Sequence, residues 1–404
     1  MKKILVVGGG VNQLPLILAA KGEGYHVIVV DMAGENCPAY SIADGFYAVS
    51  TQDEAAILEV ARKEKIDGIV SNSEPSMLIV NKVAAELKLV GNPVDGVENL
   101  ISKSKFRSLQ KKVGVFAPEC QEVTSSEDAV SVAQKLRYPI IIKPCESSGS
   151  RGCKKLDEFD EYAVTKAFQE CSHISRNKKV VIEEFVAMPS LRTIEGDIFV
   201  LGDTILWDGL FYTTRAKWAP MVPMTYTAPI LIDCSQLDSI KSAISRIIKA
   251  SDIQFGEFNI EGFFTATGEF FIIEINARQG GNFLPAFLHR FTGIDYYRLL
   301  VTTCVTDDYY LAEITTSERS FRYAVLDSAY SQHEGIYKGL KLNPLIIDKI
   351  TNITELYSVG DRVEKCVDGT GIVASVALEF DSLQELYDYS PLIIDCIQVD
   401  VSSV

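Results

Sequence analysis

The feature that most constrains this fold is a pair of apolar runs, residues 257–264 and 269–278, that carry polar side chains at regular intervals. Aromatic and β-branched residues dominate both runs, and the short segment between them ends in glycine, a pattern typical of a β-hairpin. Side chains of a strand alternate between its two faces. This alternation places Glu261, Glu274 and Asn276 on one face of the predicted hairpin.

The turn also predicts the register of this hairpin. If Phe264 pairs with Glu269, Glu261 lies opposite Ile272 and diagonal to Glu274. The side chains that then point into a core are Ile260, Phe264, Phe271, Ile273 and Ile275. The hairpin therefore has an acidic face and an apolar face.

Two carboxylates on one face repel each other, and burying them is unfavourable without a partner. A hard cation with oxygen ligands removes both problems, and Mg²⁺ commonly joins protein carboxylates to substrate phosphates. Glu261, Glu274 and Asn276 are thus candidate metal ligands. The alternative is a half-solvated strand face with two ordinary surface glutamates, since Glu is depleted in strands but not excluded from them.

Bulk composition limits the class of protein. The chain has 404 residues, 47% of them hydrophobic and 23% charged, which is typical of a globular protein with a large core. No apolar run is long enough to cross a bilayer. A net charge of −15 argues against nucleic acid or an anionic membrane as a partner. Nine cysteines without metal-ligand spacing indicate reduced thiols and a cytoplasmic protein.

The first hundred residues alternate short apolar strands with helices, which predicts a parallel sheet. The first strand, Ile4–Val7, follows two lysines and so imitates the start of a signal peptide. Its apolar run is too short for one and ends at Gly8.

A glycine-rich turn follows this first strand. Gly8 to Gly10 precede a helix, and Asp31 ends the next strand, which is the setting of a dinucleotide-binding site. The third glycine of that motif is absent, because Gln13 stands in its place. NAD binding is one interpretation, and a tight strand-to-helix turn is the other.

Three further segments carry charges beside strands, helices or loops. A buried strand ends at Lys143, and a Gly/Ser loop that could offer backbone N–H groups to anionic oxygens follows it. Another strand ends near Glu183 and Glu184. Lys103 and Arg107 lie about one turn apart on a helix. Each has an ordinary alternative, namely a mobile surface loop, an edge strand with solvated charges, and a solvated helix face.

The order of these four signals, ending in Glu274-Ile-Asn276-Ala-Arg278, resembles the ATP-grasp superfamily of carboxylate–amine ligases over about residues 1–305. Within it, the arrangement is most similar to ligases that join two amino acids, and large chains of carbamoyl-phosphate synthase share the same core. The helix motif of the family often has Asp before its lysine, whereas this chain has Ser102, which leaves the role of Lys103 less defined.

The resemblance implies a role for each matching position. Lys103 and Lys143 contact ATP phosphates, while Arg278 stabilises the transferred phosphoryl group and the acyl phosphate. The loop that closes over the phosphates comprises Ser148, Gly149, Ser150, Arg151 and Gly152. The strand that meets adenine through its backbone comprises Glu183, Glu184, Phe185 and Val186. Glu261, Glu274 and Asn276 hold Mg²⁺, with Mn²⁺ as a substitute.

The substrates are less defined. The turn from Gly280 to Asn282 could offer backbone donors to a substrate carboxylate. Arg215 or Lys217 could bind a second carboxylate, with solvated loop charges as the alternative. We expect small-molecule carboxylate and amine substrates, neither nucleic acid nor membrane as a partner, and a possible homodimer.

The expected fold is α/β and α+β, in four parts. A Rossmann-like domain spans residues 1–100, the first ATP-grasp part with its lid spans 101–190, the catalytic core spans 191–305, and a strand-rich domain spans 306–404. The function implied is ATP-dependent activation of a carboxylate as an acyl phosphate, attack by an amine, and release of ADP and phosphate. The alternatives are a ligase of the purine-biosynthesis type, an NAD-dependent oxidoreductase, and a nucleotide-binding protein without turnover.

Overall fold

The computed structural model describes residues 1–146, 151–281, 284–307, 309–316 and 321–402, with residues 315 and 316 described by their backbone alone. The glycine-rich turn, the charged helix and the acidic hairpin are all within these ranges. Of the predicted site residues, Ser148, Gly149 and Ser150 lie outside them, as does Asn282.

The N-terminal unit is a parallel four-stranded sheet with helices packed on it, as its alternating pattern predicts. The strand order is β3-β2-β1-β4. Its elements are β1 (Lys3–Val7), α1 (Leu14–Gly22), β2 (His26–Val30), β3 (Gly45–Tyr47), α2 (Glu54–Glu64), β4 (Gly68–Val70), α3 (Met77–Leu87) and α4 (Val94–Ile101).

The next unit is a small antiparallel sheet of order β5-β8-β6-β7, entered through a charged helix. Its elements are α5 (Lys103–Lys112), β5 (Cys120–Val123), α6 (Ser126–Ala133), β6 (Ile140–Pro144), β7 (Lys154–Leu156), α7 (Glu161–Ile174) and β8 (Val180–Glu184). Strand β8 is paired on both sides, with β5 and with β6.

An eight-stranded antiparallel sheet forms the centre of the molecule. The elements of its first part are β9 (Arg192–Leu201), β10 (Thr204–Arg215), β11 (Pro223–Ala228), α8 (Cys234–Ala250), β12 (Phe255–Phe264), β13 (Phe270–Asn276), α9 (Leu284–Thr292) and α10 (Tyr296–Cys304). Strands β12 and β13 are the predicted hairpin.

The last hundred residues are strand-rich, as predicted. Their elements are α11 (Tyr309–Thr316), β14 (Tyr323–Tyr330), β15 (Gly335–Leu342), β16 (Ile350–Glu355), β17 (Arg362–Val363), β18 (Ile372–Phe380), α12 (Leu383–Tyr389), α13 (Ile393–Cys396) and β19 (Ile397–Ser402). Strands β14, β18 and β16 extend the large sheet, in the order β13-β12-β9-β10-β11-β14-β18-β16, while β17, β15 and β19 form a small sheet. The large sheet is therefore continuous across residue 305, and the four-part division stays a prediction.

Apolar side chains fill both faces of the large sheet and leave a polar strip at the hairpin. Helix α8 packs on one face of this sheet. Its buried residues recur at the spacing of one helix face. Asp233 caps its N-terminus and accepts from the Gln236 N–H at 2.8 Å. The buried residues are Ile240, Ala243, Ile244, Ile247 and Ile248. Each buried isoleucine contributes about 1.5–3 kcal/mol to stability. This helix fixes one face of the hairpin in a core, so the other face is left for polar side chains.

On the opposite face, residues of α1 and β1 share one core with α9, α10 and strands of the large sheet. Ile4 and Leu16 of the N-terminal unit pack in this cluster with Phe211 and Leu299. The N-terminal unit is thereby held against the central sheet.

Candidate functional site

A cavity of about 170 Å³ lies beside the acidic hairpin. Several of the residues singled out in the sequence line it, among them Lys103, Lys143, Glu261 and Glu274. They come from α5, β6, β12 and β13, so the fold gathers charges that are far apart in the chain. Two lysines and two glutamates around one cavity provide donors for anionic oxygens and oxygen ligands for a cation.

The hairpin register differs from the prediction by one residue. Phe264 pairs with Phe270 rather than Glu269, and a bulge follows between Glu261 and the next residue of its strand. Glu261 therefore lies directly opposite Glu274, where the sequence predicts a diagonal relation. The bulge brings the two carboxylates closer, and bulges commonly re-aim side chains at functional sites.

The same bulge corrects two core assignments. Ile260 and Ile275 are buried in the core beneath α8, as predicted, together with Ile272. Ile273, predicted to face that core, instead lines the cavity beside Glu274. Phe271, also predicted to face it, packs edge-on against Phe263 on the other side. The extra residue in β13 reverses the faces to which the residues on its N-terminal side point. The alternation within one strand does not reveal such a bulge.

Arg215 is the main cation of this acidic face. It lies at the end of β10, is 3% exposed, and donates to Glu261 at 2.5 Å and to Glu195 at 3.1 Å. The interpretation of Arg215 as a solvated loop charge is wrong, because Arg215 is the buried last residue of strand β10, while Lys217 is exposed. A signal was present in the neighbouring strand, where Thr193, Glu195 and Asp197 alternate with apolar residues.

Crowding of acids shifts the protonation of this face. Burial, with the charges of Glu195 and Glu274, raises the pKa of Glu261 to about 8, although Arg215 acts in the opposite direction. Burial also raises the pKa of Glu195, again against the effect of Arg215. A divalent cation at this face would relieve the repulsion that keeps these acids from ionising.

The donor set fits Mg²⁺. Among the described residues, no three His, Cys, Asp or Glu side chains are already gathered as a metal cluster. Glu261 faces Arg215, and Glu274 accepts from the Asn276 amide at 2.7 Å. Mg²⁺ in nucleotide sites is typically held by one or two carboxylates together with substrate phosphates rather than by an all-protein cage. Two facing carboxylates and one amide oxygen are donors of that kind.

Lys143 and Glu183 form a buried ion pair behind the cavity. Lys143 Nζ donates to Glu183, and Arg107 Nε donates to the other oxygen of that carboxylate at 3.0 Å. Burial alone would raise the pKa of Glu183, but the two cations lower it to about 2. Arg107 is 2% exposed, so its interpretation as part of a solvated helix face is wrong.

The strand predicted to meet adenine is only partly available. The backbones of Glu183 and Glu184 are paired within the sheet, and the Glu184 carboxylate accepts from Arg137 at 3.2 Å. Val186 follows the end of β8 and is partly buried. The Phe185 N–H donates to the Pro139 carbonyl at 2.8 Å, so neighbouring backbone also engages this strand at Phe185.

Gly152 lies at the base of the predicted lid. Its φ is +76°, and a Cβ there would lie 2.6 Å from Ile174 and 3.1 Å from Pro144. Only glycine suits this conformation and this close approach. Arg151 lines the cavity next to it.

Arg278 lines a second cavity, of about 230 Å³, between the hairpin and the N-terminal unit. It pairs with Glu74 at 3.5 Å, and Gly281 and Tyr297 line the same cavity. The Gly280 N–H, expected to be free for a substrate, donates to Asp197 at 2.9 Å. Arg278 is not among the residues that line the first cavity. The strand ends at Asn276, and the chain turns there, since the Arg278 N–H donates to the Asn276 carbonyl at 2.8 Å.

The glycine-rich turn of the N-terminal unit has a structural explanation. Asp31 accepts from the Gly9 N–H at 2.9 Å, so it holds the turn. A Cβ on Gly9 would lie 2.5 Å from Cys37 Sγ, which shows that the chain itself packs against this glycine. These contacts favour a tight turn over a dinucleotide site.

Two family models match most of the chain. Residues 102–298 match the ATP-binding domain of the carbamoyl-phosphate synthase L chain, and residues 4–94 match a PylC-like N-terminal domain. The large chain of carbamoyl-phosphate synthase from Gemmatimonas aurantiaca is 23% identical over 219 residues, which cover 50% of this chain and 19% of that protein. The corresponding protein of Vibrio cholerae is 21% identical over 379 residues, or 89% of this chain and 34% of that protein. This chain thus spans about a third or less of these relatives.

Solved structures share the fold along the whole chain. The L-amino acid ligase from Bacillus licheniformis has a TM-score of 0.79 at 19% identity, covering 100% of this chain and 99% of that one. Phosphoribosylglycinamide synthetase from Anaerococcus prevotii has a TM-score of 0.72 at 19% identity, covering 99% and 100%. The biotin carboxylase domain of the Hydrogenobacter thermophilus 2-oxoglutarate carboxylase, crystallised as a dimer with MgADP, has a TM-score of 0.69 at 15% identity and covers 100% and 91%.

Proposed function

This chain belongs to the ATP-grasp superfamily, and on that premise we propose that it is an ATP-dependent carboxylate–amine ligase. The observation that carries the proposal is the first cavity. Glu261 faces Glu274 directly, and Lys103 and Lys143 line the same cavity. A cavity with both cationic donors and paired acidic oxygens fits a nucleotide triphosphate with its divalent ion.

The positions of the residues support a proposed role for each. Lys103 and Lys143 bind phosphate oxygens, and Glu261, Glu274 and Asn276 hold Mg²⁺ or Mn²⁺. The bound ion supplies neutralisation of the charge on the phosphates. Residues 148–152 serve as the lid, which matters because an acyl phosphate hydrolyses readily in water.

The second cavity is the proposed place for the carboxylate substrate. Arg278 faces it, and a guanidinium suits both a carboxylate and a transferred phosphoryl group. The carboxylate oxygen attacks the terminal phosphorus of ATP, giving an acyl phosphate and ADP. The amine then attacks the acyl carbon, phosphate leaves, and the amine nitrogen loses a proton to form the amide.

Amino acids are the proposed substrates. The shape of the whole chain is similar to that of an L-amino acid ligase, which supports them. A ligase of the purine-biosynthesis type is the second candidate, because phosphoribosylglycinamide synthetase shares the fold equally along its length. The Asp31 contact with Gly9 speaks against an NAD-dependent oxidoreductase. A nucleotide-binding protein without turnover stays open to experiment.

The experiment is a screen of ADP release over a matrix of amino acids and small carboxylic acids with Mg²⁺ and ATP. We expect release of ADP and phosphate that requires one carboxylate and one amine together. AMP and pyrophosphate as products would reject the acyl-phosphate mechanism. Nucleotide binding without release in any well would instead favour the protein without turnover.

Assembly and location are also proposals. The dimer formed by the biotin carboxylase domain of similar fold is the reason to propose a homodimer, which light scattering tests. None of the helices in the described part of the chain is long and apolar enough to cross a membrane. Reduced thiols and a cytoplasmic location stay part of the proposal.

A further inference from the structure

A third cavity, of about 300 Å³, lies in the C-terminal part of the molecule, away from the residues assigned to ATP. Asp327 of β14 and Trp218 of the β10–β11 loop line it, together with Ser331, His333 and Gln398. It is larger than the cavity of about 170 Å³ at the acidic hairpin. No step of the proposed reaction uses these side chains.

Asp327 is a buried carboxylate without a counter-charge. It is 3% exposed and accepts from the Thr225 hydroxyl at 2.6 Å. Within the described residues it forms no ion pair, and no other hydrogen bond to its side chain is seen. A buried carboxylate that lacks a cationic partner is unfavourable, and burial accordingly raises its pKa to about 7 despite the Thr225 bond. The cavity wall thus presents an acceptor whose ionised form needs a cation.

The remaining lining defines the kind of cation. Trp218 is 40% exposed at the rim, and an indole face attracts an organic ammonium. Met224 and Ile394 add apolar surface beside the polar groups. A hard metal ion needs about six oxygen ligands, whereas an ammonium with a short alkyl chain uses one carboxylate, a few oxygens and an apolar wall.

We propose that the cavity at Asp327 and Trp218 binds a small organic molecule through a protonated primary amine. The amine lies on the Asp327 carboxylate and the alkyl part lies against Trp218. This site goes beyond the ligase function and is separate from the cavity of the acidic hairpin.

The register of the large sheet supports that separation. Asp327 pairs with Thr225, Thr225 with Thr214, and Thr214 with Arg192, so these four side chains share a face. Glu195 of β9 points to the other face, since its distance from Arg192 in the strand is odd. The amine site and the acidic hairpin site therefore use opposite faces of one sheet.

One segment touches both sites. In the loop of residues 216–222, Trp218 lines the third cavity, while Pro220 and Met221 line the cavity of the acidic hairpin. Two backbone turns, Ala219 N–H to Ala216 and Val222 N–H to Ala219, at 3.1 Å each, make this loop a compact unit. An amine bound against Trp218 is thus one short loop away from the proposed phosphates.

The test is a fluorescence titration with n-propylammonium chloride at pH 8. The chain has two tryptophans, and Trp207 packs in the core beneath α8, so a Trp207→Phe variant isolates the signal of Trp218. We expect a saturable change with propylammonium and none with equal concentrations of sodium or tetramethylammonium chloride, which lack an N–H donor. Equal responses to all three salts would overturn the proposal.

Three variants test the anchor. Asp327→Asn keeps the shape and removes the charge, so propylammonium should bind at least tenfold more weakly. Glu334→Gln removes an exposed charge nearby and should leave binding unchanged. Gln398→Lys places a tethered ammonium at the exposed rim and should abolish binding even if Asp327→Asn does not fold. Wild-type affinity in Gln398→Lys, or in folded Asp327→Asn, would reject the site.

Discussion

Arg215 donates to Glu261 at 2.5 Å, so a protein cation holds one of the two carboxylates that we assign to a divalent ion. The same guanidinium reaches Glu195 at 3.1 Å and balances part of the acidic face. Glu274, directly opposite Glu261, accepts from the Asn276 amide at 2.7 Å. Arg215 therefore balances only part of the negative charge that Glu195, Glu261 and Glu274 can carry.

The facing carboxylates should be required for turnover. We expect Glu274→Gln to lower ADP release at least about 100-fold with the fold intact, because an amide does not replace a charged metal ligand. ADP release and the melting temperature are measured together. Glu269→Gln, at the exposed turn of the same hairpin, is the matched control and should keep wild-type activity. Wild-type-like ADP release from Glu274→Gln would reject the metal assignment.

Removing the cation of the acidic face should destabilise the protein. Arg215→Met leaves Glu195 and Glu261 without their partner, and breaking a buried pair in this way costs about 3–5 kcal/mol. Since protonation neutralises the two acids, the loss in free energy of unfolding should be smaller at pH 5 than at pH 8. Urea unfolding at the two pH values measures it. An equal loss at both would show that the packing of Arg215, and not its charge, is what matters.

The Glu183 ion pair should contribute stability that disappears in acid. The pKa of Glu183 falls from 4.5 to about 2 in the folded chain, because Arg107 and Lys143 outweigh its burial. The contribution is therefore full above pH 4.5 and is lost as the pH falls towards 2. Glu183→Gln should be less stable than the wild type at pH 7, and the difference should shrink at pH 3. A difference that does not change between these pH values would contradict the assignment.

A second buried acid should have the opposite pH dependence. Burial and the charge of Asp197 raise the pKa of Glu257 well above 4.5, so the folded chain favours its neutral form. Burial of Glu257 therefore does not affect the free energy of unfolding below pH 4.5, and it lowers that free energy increasingly as the pH rises above 4.5. Glu257→Gln should therefore match the wild type at pH 4.5 and be more stable at pH 8, by urea unfolding. A variant that is less stable at pH 8 would show that Glu257 is ionised there.

The hairpin shows what local sequence can and cannot predict. Alternation of side chains is a local property, so it correctly predicts that Glu261, Glu274 and Asn276 share a face. The bulge depends on how β13 fits against its neighbour, and it moved Ile273 to the cavity and Glu274 opposite Glu261. Register is a property of two strands, and one strand's sequence does not determine it.

Contacts between side chains that are distant in sequence were harder to predict than the local position of each side chain. Strand alternation predicts the shared face of the hairpin acids, and the resemblance to the ATP-grasp superfamily implies roles for Lys103 and Lys143. The structure brings Lys103, Lys143, Glu261 and Glu274 to one cavity. Arg215 and Arg107 were interpreted as solvated, because the acids that bury them lie on other strands. Glu183 is 76 residues from Arg107 in the chain, so the pair exists only in the folded molecule.

We propose that the acidic hairpin carries the ion that accompanies the nucleotide. Electron paramagnetic resonance of Mn²⁺ with ATP measures this directly, because protein-bound Mn²⁺ loses the sharp signal of the free ion. We predict that the wild type and Glu269→Gln bind Mn²⁺ tightly in the presence of ATP, and that Glu261→Gln and Glu274→Gln bind it at least tenfold more weakly. Equal Mn²⁺ binding by all four proteins would contradict the account.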